Sequence, residues 1–250
     1  MTYHKLLIAN RGEIACRIMK TAQEMGISCV AVYTDADSES PFVKLADEAI
    51  KLTDTYLNGK EIIEAAIRTG AQAIHPGYGF LSENAKFSRE VIKAGLIWVG
   101  PSSKVITSMG DKLKAKEIAD KAGVPTLPMT TEPSKANTVG YPLLIKAAAG
   151  GGGKGMRIVE SKKDLKDSIT SAQREAKVGF GDDRIFIERY VASSRHIEIQ
   201  ILGDSHGNIV HLGERECSIQ RRHQKIIEES HSQRVYEEMR AAMGNAAIKL

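Results

Sequence analysis

The chain has 250 residues, of which 42% are hydrophobic and 26% charged, a composition typical of a globular protein long enough for two compact units. Its net charge of +4 is small and dispersed, which argues against nucleic-acid binding. No apolar run reaches membrane-spanning length and the first residues lead straight into a predicted strand, so we expect a cytoplasmic protein without membrane contact. Three cysteines without CxxC spacing indicate neither a disulfide framework nor a zinc site.

Strands and helices alternate along the first hundred residues. Apolar runs predict strands at 5–9, 28–34, 73–75 and 97–99. Helical spacing predicts helices at 14–25 and 85–94, and a third that starts at Asn58 and turns Ile62, Ile63, Ala66 and Ile67 inward. The alternation predicts an α/β domain with a doubly wound parallel sheet covered on both faces.

Ligands of such sheets bind at the carboxyl ends of the strands, where residues 10–13 and 75–84 fall. Turn geometry explains Pro76, Gly77 and Gly79. His75 is interpreted as a buried or loop-fixing histidine.

Five glycines and a lysine fill positions 150–155, between apolar residues 143–145 and 157–159 that predict two strands of a hairpin. Bare backbone in such a flap can approach a polyphosphate, and Lys146 and Lys154 add positive charge. The segment is not a dinucleotide fingerprint, because strand and not helix follows it, and not a P-loop, because Gly155 follows Lys154. No kinase motif follows, and tight flanking strands argue against a simple linker. We therefore predict a nucleotide-phosphate lid.

A helix is predicted to begin at Asp111 as its N-cap, with Lys112 in the first turn. A lysine there opposes the helix dipole unless an anion is bound nearby. Lys112 is therefore a candidate phosphate ligand, and a solvated surface lysine is the alternative.

Residues 195–202 alternate, which places His196, Glu198 and Gln200 on one face of a strand and indicates a wet cleft. After the returning strand, predicted at 209–213, a cluster of cationic and amide side chains is followed by Glu228 and Glu229. Its members are Arg215, Gln220, Arg221, Arg222, His223 and Lys225. Fixed donors of this kind suit a phosphate or bicarbonate, and the stretch has no interleaved aromatics for stacking bases.

Four stretches together resemble the biotin carboxylases of the ATP-grasp superfamily. They are residues 8–14 (IANRGEI), 75–84 (HPGYGFLSEN), 141–155 (YPLLIKAAAGGGGKG) and 214–229 (ERECSIQRRHQKIIEE). The glycine-rich stretch is shared with carbamoyl-phosphate synthetases, whereas the second and fourth favour biotin carboxylase.

The resemblance implies roles for individual residues. Biotin or bicarbonate would contact Tyr78, Glu83 and Lys225, and Glu228 would assist proton removal. ATP would be held by Lys112, Lys146, Gly151, Gly152, Gly153, Met156, Glu188, Arg189, Tyr190, Val191, His196, Gln220 and His223. For Glu188 the alternative is an ion pair with a neighbouring lysine or arginine.

The resemblance also implies four segments and a set of partners. These are an N-terminal α/β domain at 1–110, a helical linker at 111–129, an ATP-grasp lid at 130–190 and the truncated start of the ATP-grasp catalytic domain at 191–250. ATP, Mg²⁺, bicarbonate and biotin on a carrier protein would be bound, with a carboxyltransferase subunit as partner and a homodimer in the full-length form.

In the family the metal-binding carboxylates follow the position of Leu250, so no metal ligand is assigned and the 250 residues alone are expected to be catalytically poor. A helix at 236–250 is predicted to leave an apolar patch exposed. The alternatives are a non-catalytic ATP-binding or subunit-interaction fragment and another ATP-grasp ligase such as carbamoyl-phosphate synthetase.

Overall fold

The computed structural model describes residues 3–149, 156–221 and 224–250. The chain divides into two compact units, Met1–Ser108 and Met109–Leu250. No helix within the described ranges is both long enough and apolar enough to cross a lipid bilayer.

The first unit is built on a parallel sheet. Its strands are β1 (Lys5–Ile8), β2 (Ser28–Tyr33), β3 (Glu48–Lys51), β4 (Ala73–His75) and β5 (Ile97–Trp98). Its helices are α1 (Gly12–Glu24), α2 (Pro41–Leu45), α3 (Gly59–Thr69), α4 (Ala85–Lys93) and α5 (Ser103–Gly110), of which α5 runs up to the second unit. The strand order is β3-β2-β1-β4-β5, with every pair parallel, which confirms the predicted α/β class.

Separate apolar clusters lie on the two faces of this sheet. Leu7, Val30 and Ile74 point to one cluster, whereas Leu6, Ile8 and Cys29 point to the other. The alternation follows from the strand period of two, and both faces are buried because helices cover them.

The N-terminus of α3 forms as predicted, because the Asn58 side chain accepts a hydrogen bond from the Glu61 N–H at 3.2 Å. The prediction for its inner face is wrong at Ile67, which is 58% exposed, while Ala65 is buried in its place. Strand β3 was not predicted, since its short mixed sequence has no apolar run. The loop predicted at 10–13 is shorter than expected, because α1 already begins at Gly12.

The second unit starts with a helix and an antiparallel sheet. Its first elements are α6 (Lys112–Lys121), β6 (Met129–Thr130), α7 (Ala136–Val139), β7 (Leu143–Ala147), β8 (Arg157–Val159), α8 (Leu165–Phe180) and β9 (Ile185–Arg189). The strand order is β6-β9-β7-β8. Strands β7 and β8 pair antiparallel, as predicted for the two strands of the hairpin. The lid segment Gly150–Gly155 between them lies outside the described residues.

A second antiparallel sheet follows, and helix α9 contacts it. It contains β10 (Ile197–Gly203), β11 (Ile209–Arg221) and β12 (Gln224–Glu229), and α9 covers Glu237–Lys249. Strand β11 extends eight residues beyond the predicted strand end at Gly213, because its pairing with β10 continues at Glu214–Glu216 and β12 then pairs with its far end.

Apolar side chains of this second sheet are not fully covered. Ile197, Ile199 and Ile201 are half-buried and do not form the closed core that the sequence predicted. Leu202, Leu212 and Ile226 are each about 60% exposed. The predicted exposed apolar surface is therefore present, but on the strands as well as on α9, where Met239 and the C-cap residue Leu250 are exposed.

Candidate anion and nucleotide site

A buried carboxylate with two lysine partners marks the first antiparallel sheet of the second unit. Glu188 on β9 pairs across the sheet with Leu144 on β7, so Lys146, two residues further along β7, shares its face. Lys146 Nζ contacts Glu188 Oε1, and Lys116 Nζ on α6 lies 3.1 Å from Oε2. Glu188 itself is only 3% exposed, and its carboxylate therefore depends on these two ammonium groups for compensation.

Helix α6 brings a third lysine to the same region. The Asp111 carboxylate accepts hydrogen bonds from the Leu113 and Lys114 N–H groups, which confirms the predicted N-cap. Lys112 in the first turn donates from Nζ to the Ala147 carbonyl at 3.1 Å, at the end of β7. Burial, together with repulsion by Lys146, lowers the pKa of Lys112, although Glu188 partly offsets this. Three lysines against one carboxylate leave an excess of positive charge, which favours an anionic ligand.

The second antiparallel sheet carries another charged cluster, centred on Glu198. Its carboxylate contacts Lys225 Nζ and lies 3.0 Å from both Arg215 Nη2 and His196 Nε2. Burial opposes ionisation, but hydrogen bonds from Lys225 and Arg215 outweigh it and lower the pKa of Glu198. The hydrogen bond to Glu198 in turn raises the pKa of Lys225. Lys225 is therefore cationic at neutral pH.

His196 has a defined tautomer in this cluster. The Gln220 side-chain N–H₂ group donates to the Cys217 carbonyl and lies 2.8 Å from His196 Nδ1. Since an amide nitrogen can only donate, Nδ1 accepts and the ring proton is on Nε2, facing Glu198. The imidazole ring is thus held on both sides. Glu228 is at the rim of the cluster, 3.9 Å from Arg215 Nε.

In the first unit, the loop that connects β4 to α4 is anchored by Asn10. Asn10 Nδ2 donates to the carbonyl oxygens of Pro76 and Tyr78, both at 2.7 Å. The Gly77 N–H donates to His75 Nδ1 at 3.0 Å, so His75 fixes the loop as predicted. The Tyr78 hydroxyl contacts the Glu13 carboxylate, and the Tyr78 side chain is 61% exposed. Glu83, the other predicted contact, is also exposed.

A chain of polar and aromatic contacts supports the same loop. Asp37 is 4% exposed and receives two hydrogen bonds from Arg11, at 2.5 and 2.6 Å, and one from the Tyr56 hydroxyl at 2.6 Å. The Tyr56 ring lies 5.4 Å from the Phe80 ring, and Phe80 has a positive φ of 44°. A non-glycine residue in this region is strained, so the loop depends on the packing of its neighbours.

The sequence-predicted residues thus fall into separate groups. Lys112, Lys146 and Glu188 lie together, and His196, Gln220, Lys225 and Glu228 form the second group. The N–H groups of Arg189 and Tyr190 donate to the Pro128 and Pro142 carbonyls, while Val191 is exposed and Met156 half-buried. Gly151, Gly152, Gly153 and His223 lie outside the described residues.

The sequence analysis missed two residues of these clusters as site residues. Lys116 was not singled out among the lysines of its helix, and Glu198 was placed on the polar face of its strand without a role. Arg215 was included in the anion-binding cluster, but its pairing with Glu198 was not predicted. The i, i+4 spacing of Lys112 and Lys116 is a signal that could have identified Lys116.

Comparison with known families accounts for nearly the whole chain. Residues 2–106 match the family model of the biotin carboxylase N-terminal domain, and residues 111–250 match that of the carbamoyl-phosphate synthase L chain ATP-binding domain. The chain belongs to the biotin carboxylase family, with an ATP-binding domain of the carbamoyl-phosphate synthase L chain type.

Relatives in this family are subunits of carboxylases. The chain is 52% identical to the methylcrotonoyl-CoA carboxylase subunit alpha of Dictyostelium discoideum, over 98% of the chain and 37% of that protein. It is 52% identical to the propionyl-CoA carboxylase alpha chain of Ruegeria pomeroyi, over 99% of the chain and 38% of that protein. The chain therefore spans less than two-fifths of the length of these relatives.

Solved structures of the family have the same fold. The biotin carboxylase domain dimer of Hydrogenobacter thermophilus 2-oxoglutarate carboxylase, in complex with MgADP, ADP and bicarbonate, superposes with a TM-score of 0.95 at 44% identity, over 100% of this chain and 58% of that one. The β-γ-ATP complex of biotin carboxylase from Campylobacter jejuni gives a TM-score of 0.96 at 45% identity, over 99% and 58% of the two chains.

Proposed function

We propose that this chain forms the nucleotide- and bicarbonate-binding part of a biotin carboxylase, which uses ATP and bicarbonate to carboxylate biotin on a carrier protein or domain. The observation that carries the proposal is that Lys116 and Lys146 both pair with the single carboxylate of Glu188, while Lys112 adds a third ammonium at the end of β7, where it donates to the Ala147 carbonyl. An excess of ammonium groups at a partly buried position favours a polyphosphate. Membership of the biotin carboxylase family supports ATP as the ligand that carries this polyphosphate.

In this proposal the first cluster of the second unit binds ATP, and the second cluster contributes to both the nucleotide site and the bicarbonate site. Lys112, Lys146 and the glycines Gly151–Gly153 would hold the phosphates, with Met156 beside them. Glu188, Arg189, Tyr190 and Val191 would line the adenine edge, and His196, Gln220 and His223 would complete the nucleotide site. Lys225 would hold bicarbonate, and Glu228 would accept a proton. Tyr78 and Glu83 would contact biotin.

The reaction has two steps. A bicarbonate oxygen attacks the γ-phosphorus of ATP, the bond to the β–γ bridging oxygen breaks, and carboxyphosphate and ADP form. Carboxyphosphate then releases CO₂ and phosphate, and a biotin nitrogen attacks CO₂ as its proton passes to a base. The residues of this chain contribute by orienting anions and neutralising charge, with water excluded by the lid.

Mg²⁺ is implied by the family, and the residues described here do not fit a site for it. Within residues 3–149, 156–221 and 224–250, no group of three or more His, Cys, Asp or Glu side chains could hold a metal ion. The carboxylates of Glu188 and Glu198 already form ion pairs with cationic side chains. No step is therefore assigned to a metal held by these residues.

We further propose the domain division and the partners that the family suggests. The N-terminal domain would cover 1–110, the linker 111–129, the lid 130–190 and the start of the catalytic domain 191–250. The partners would be a biotin carboxyl carrier, a carboxyltransferase subunit and a second copy of the full-length protein. The names of the relatives favour an acyl-CoA as the final acceptor.

Titration calorimetry of the chain with ATP, combined with an activity assay on the full gene product, tests this function. We expect ATP binding to the chain, and bicarbonate-dependent ADP release by the gene product that free biotin accelerates. Absence of ATP binding would contradict the nucleotide site. Biotin-independent phosphorylation of carbamate would instead favour a carbamoyl-phosphate synthetase activity.

A further inference from the structure

Both oxygens of the Glu188 carboxylate are occupied, and by different lysines. Oε1 contacts Lys146, which the proposed function assigns to the phosphates, and Oε2 lies 3.1 Å from Lys116 Nζ. If Lys146 were the only partner, transfer of its ammonium to a phosphate would leave a buried carboxylate without compensation. Such a loss is costly for a carboxylate that is only 3% exposed.

Lys116 is held in place independently of Glu188. Its side chain is 18% exposed, and its ammonium also donates to the Leu127 carbonyl at 3.2 Å. It lies one helical turn after Lys112 on α6, which places both on the same side of the helix. With two fixed acceptors, the Lys116 ammonium is oriented toward Glu188 rather than toward solvent.

We propose that Lys116 is a positioning residue of the nucleotide site. It keeps the Glu188 carboxylate compensated, so that Lys146 can pair with the polyphosphate of ATP. This inference rests on the proposed function, since it concerns how the same site accepts its ligand. Lys116 itself does not contact the nucleotide and acts through Glu188.

The role predicts a specific pattern of energetic coupling. Replacement Lys116→Met leaves Lys146 as the only ion-pair partner of Glu188 among the residues that the structure describes, and we expect ATP and inorganic tripolyphosphate to bind about tenfold more weakly. When Glu188→Gln has already removed the carboxylate, Lys116→Met is expected to change either affinity by less than about twofold. Lys116→Arg keeps the charge and is expected to restore most of the affinity.

The experiment is a double-mutant cycle on the 250-residue chain, with dissociation constants of ATP and tripolyphosphate measured by calorimetry. Tripolyphosphate has no adenine, so it separates the phosphate contribution from any contact of Glu188 with the base. Lys114→Met is the matched control, because Lys114 is an exposed lysine of the same helix. This variant should bind ATP and tripolyphosphate with the affinities of the wild type. Melting curves establish that each variant is folded.

Three results would overturn the inference. Lys116→Met could bind both ligands as the wild type does, or it could weaken binding equally with and without Glu188→Gln, which would indicate a direct contact. Glu188→Gln alone provides a test if Lys116→Met does not fold: we expect it to bind tripolyphosphate at least as tightly as the wild type, and weaker binding contradicts the role. Failure of the wild type to bind ATP would contradict the proposed function itself.

Discussion

Lys146 and Glu188 are diagonal neighbours on antiparallel strands β7 and β9, and their side chains form an ion pair on the sheet face opposite the buried Leu143 and Ile145. The strand register places the cation beside the carboxylate. In the proposed site, binding of a phosphate would therefore replace one ionic partner of Lys146 by another.

The first prediction concerns Lys146. Lys146→Met is expected to weaken ATP binding to the chain on the order of 10- to 100-fold, because a charge-assisted contact to phosphate is lost in a partly buried site. Calorimetry measures the change. Lys163→Met, at an exposed lysine after β8, is the control and should bind ATP normally. Equal affinities for the two variants would place the phosphates elsewhere.

The second prediction concerns Glu198, which holds Lys225, Arg215 and His196 together. Glu198→Gln removes the charge that fixes these groups, so we expect the KM for bicarbonate in the full gene product to rise on the order of tenfold. Steady-state kinetics with varied bicarbonate measures it. Glu229→Gln, at an exposed glutamate of β12, serves as the control. An unchanged KM in Glu198→Gln would exclude this cluster as the bicarbonate site.

The third prediction is a pH dependence of stability in the first unit. Hydrogen bonds from Arg11 lower the pKa of Asp37 from its ordinary value of 3.8 to about 2. Since the folded pKa is lower, the stabilisation is complete above about pH 4 and is lost as the pH falls toward 2. We expect the loss to be on the order of 1–2 kcal/mol.

Denaturant titrations between pH 5 and pH 2 would measure this effect through the fluorescence of Trp98. It is the single tryptophan of the chain and is buried in the first unit, so its signal reports on that unit. The difference in unfolding free energy between wild type and Asp37→Asn should shrink as the pH falls. A difference that does not change with pH would show that the pairing with Arg11 does not lower the pKa of Asp37.

The fourth prediction compares two glycines of the loop between β4 and α4. Gly77 and Gly79 have nearly the same positive φ, 64° and 65°, but an added Cβ at Gly77 would lie 2.7 Å from Asn10 Nδ2, whereas at Gly79 nothing lies within 4 Å. Both alanine variants carry the backbone strain, about 1 kcal/mol. Gly77→Ala should be further destabilised because Asn10 must move and lose its hydrogen bonds to the loop, for an additional 1–3 kcal/mol by rough estimate.

Trp98 fluorescence in denaturant measures both glycine variants. Gly79→Ala is the internal control for the conformational cost alone. Equal destabilisation would mean that the side chain of Asn10 can adapt and does not hold the loop.

The local sequence was sufficient to predict those features that depend on residues a few positions apart. Asn58 and Asp111 could be recognised as N-caps because a cap depends on residues two or three positions away. Strands β1, β2 and β4 could be recognised because both faces of a parallel sheet are buried, which requires continuous apolar runs. Strand β3 has no such run, and its formation depends on pairing with β2.

The candidate site was predictable only in part, because a motif indicates which residue types are present but not which side chains they pair with. The glycine-rich stretch and Lys146 are recognisable from spacing alone. The alternative prediction for Glu188, an ion pair with a neighbouring lysine, is confirmed, since Lys116 and Lys146 both contact it. Which lysine pairs with which oxygen depends on where the fold places α6 relative to β7 and β9, which are distant from it in sequence.

By itself, the sequence determined the alternation of elements in the first unit, the N-caps of α3 and α6 and the residue types from which two anion sites can be built. Only the tertiary structure decided that Lys116 shares Glu188 with Lys146, and that Glu198 gathers Arg215, Lys225 and His196. The physical reason is range: periodicity and capping act over a few residues, whereas compensation of a buried charge is settled by whichever side chains the folded chain brings within about 3 Å.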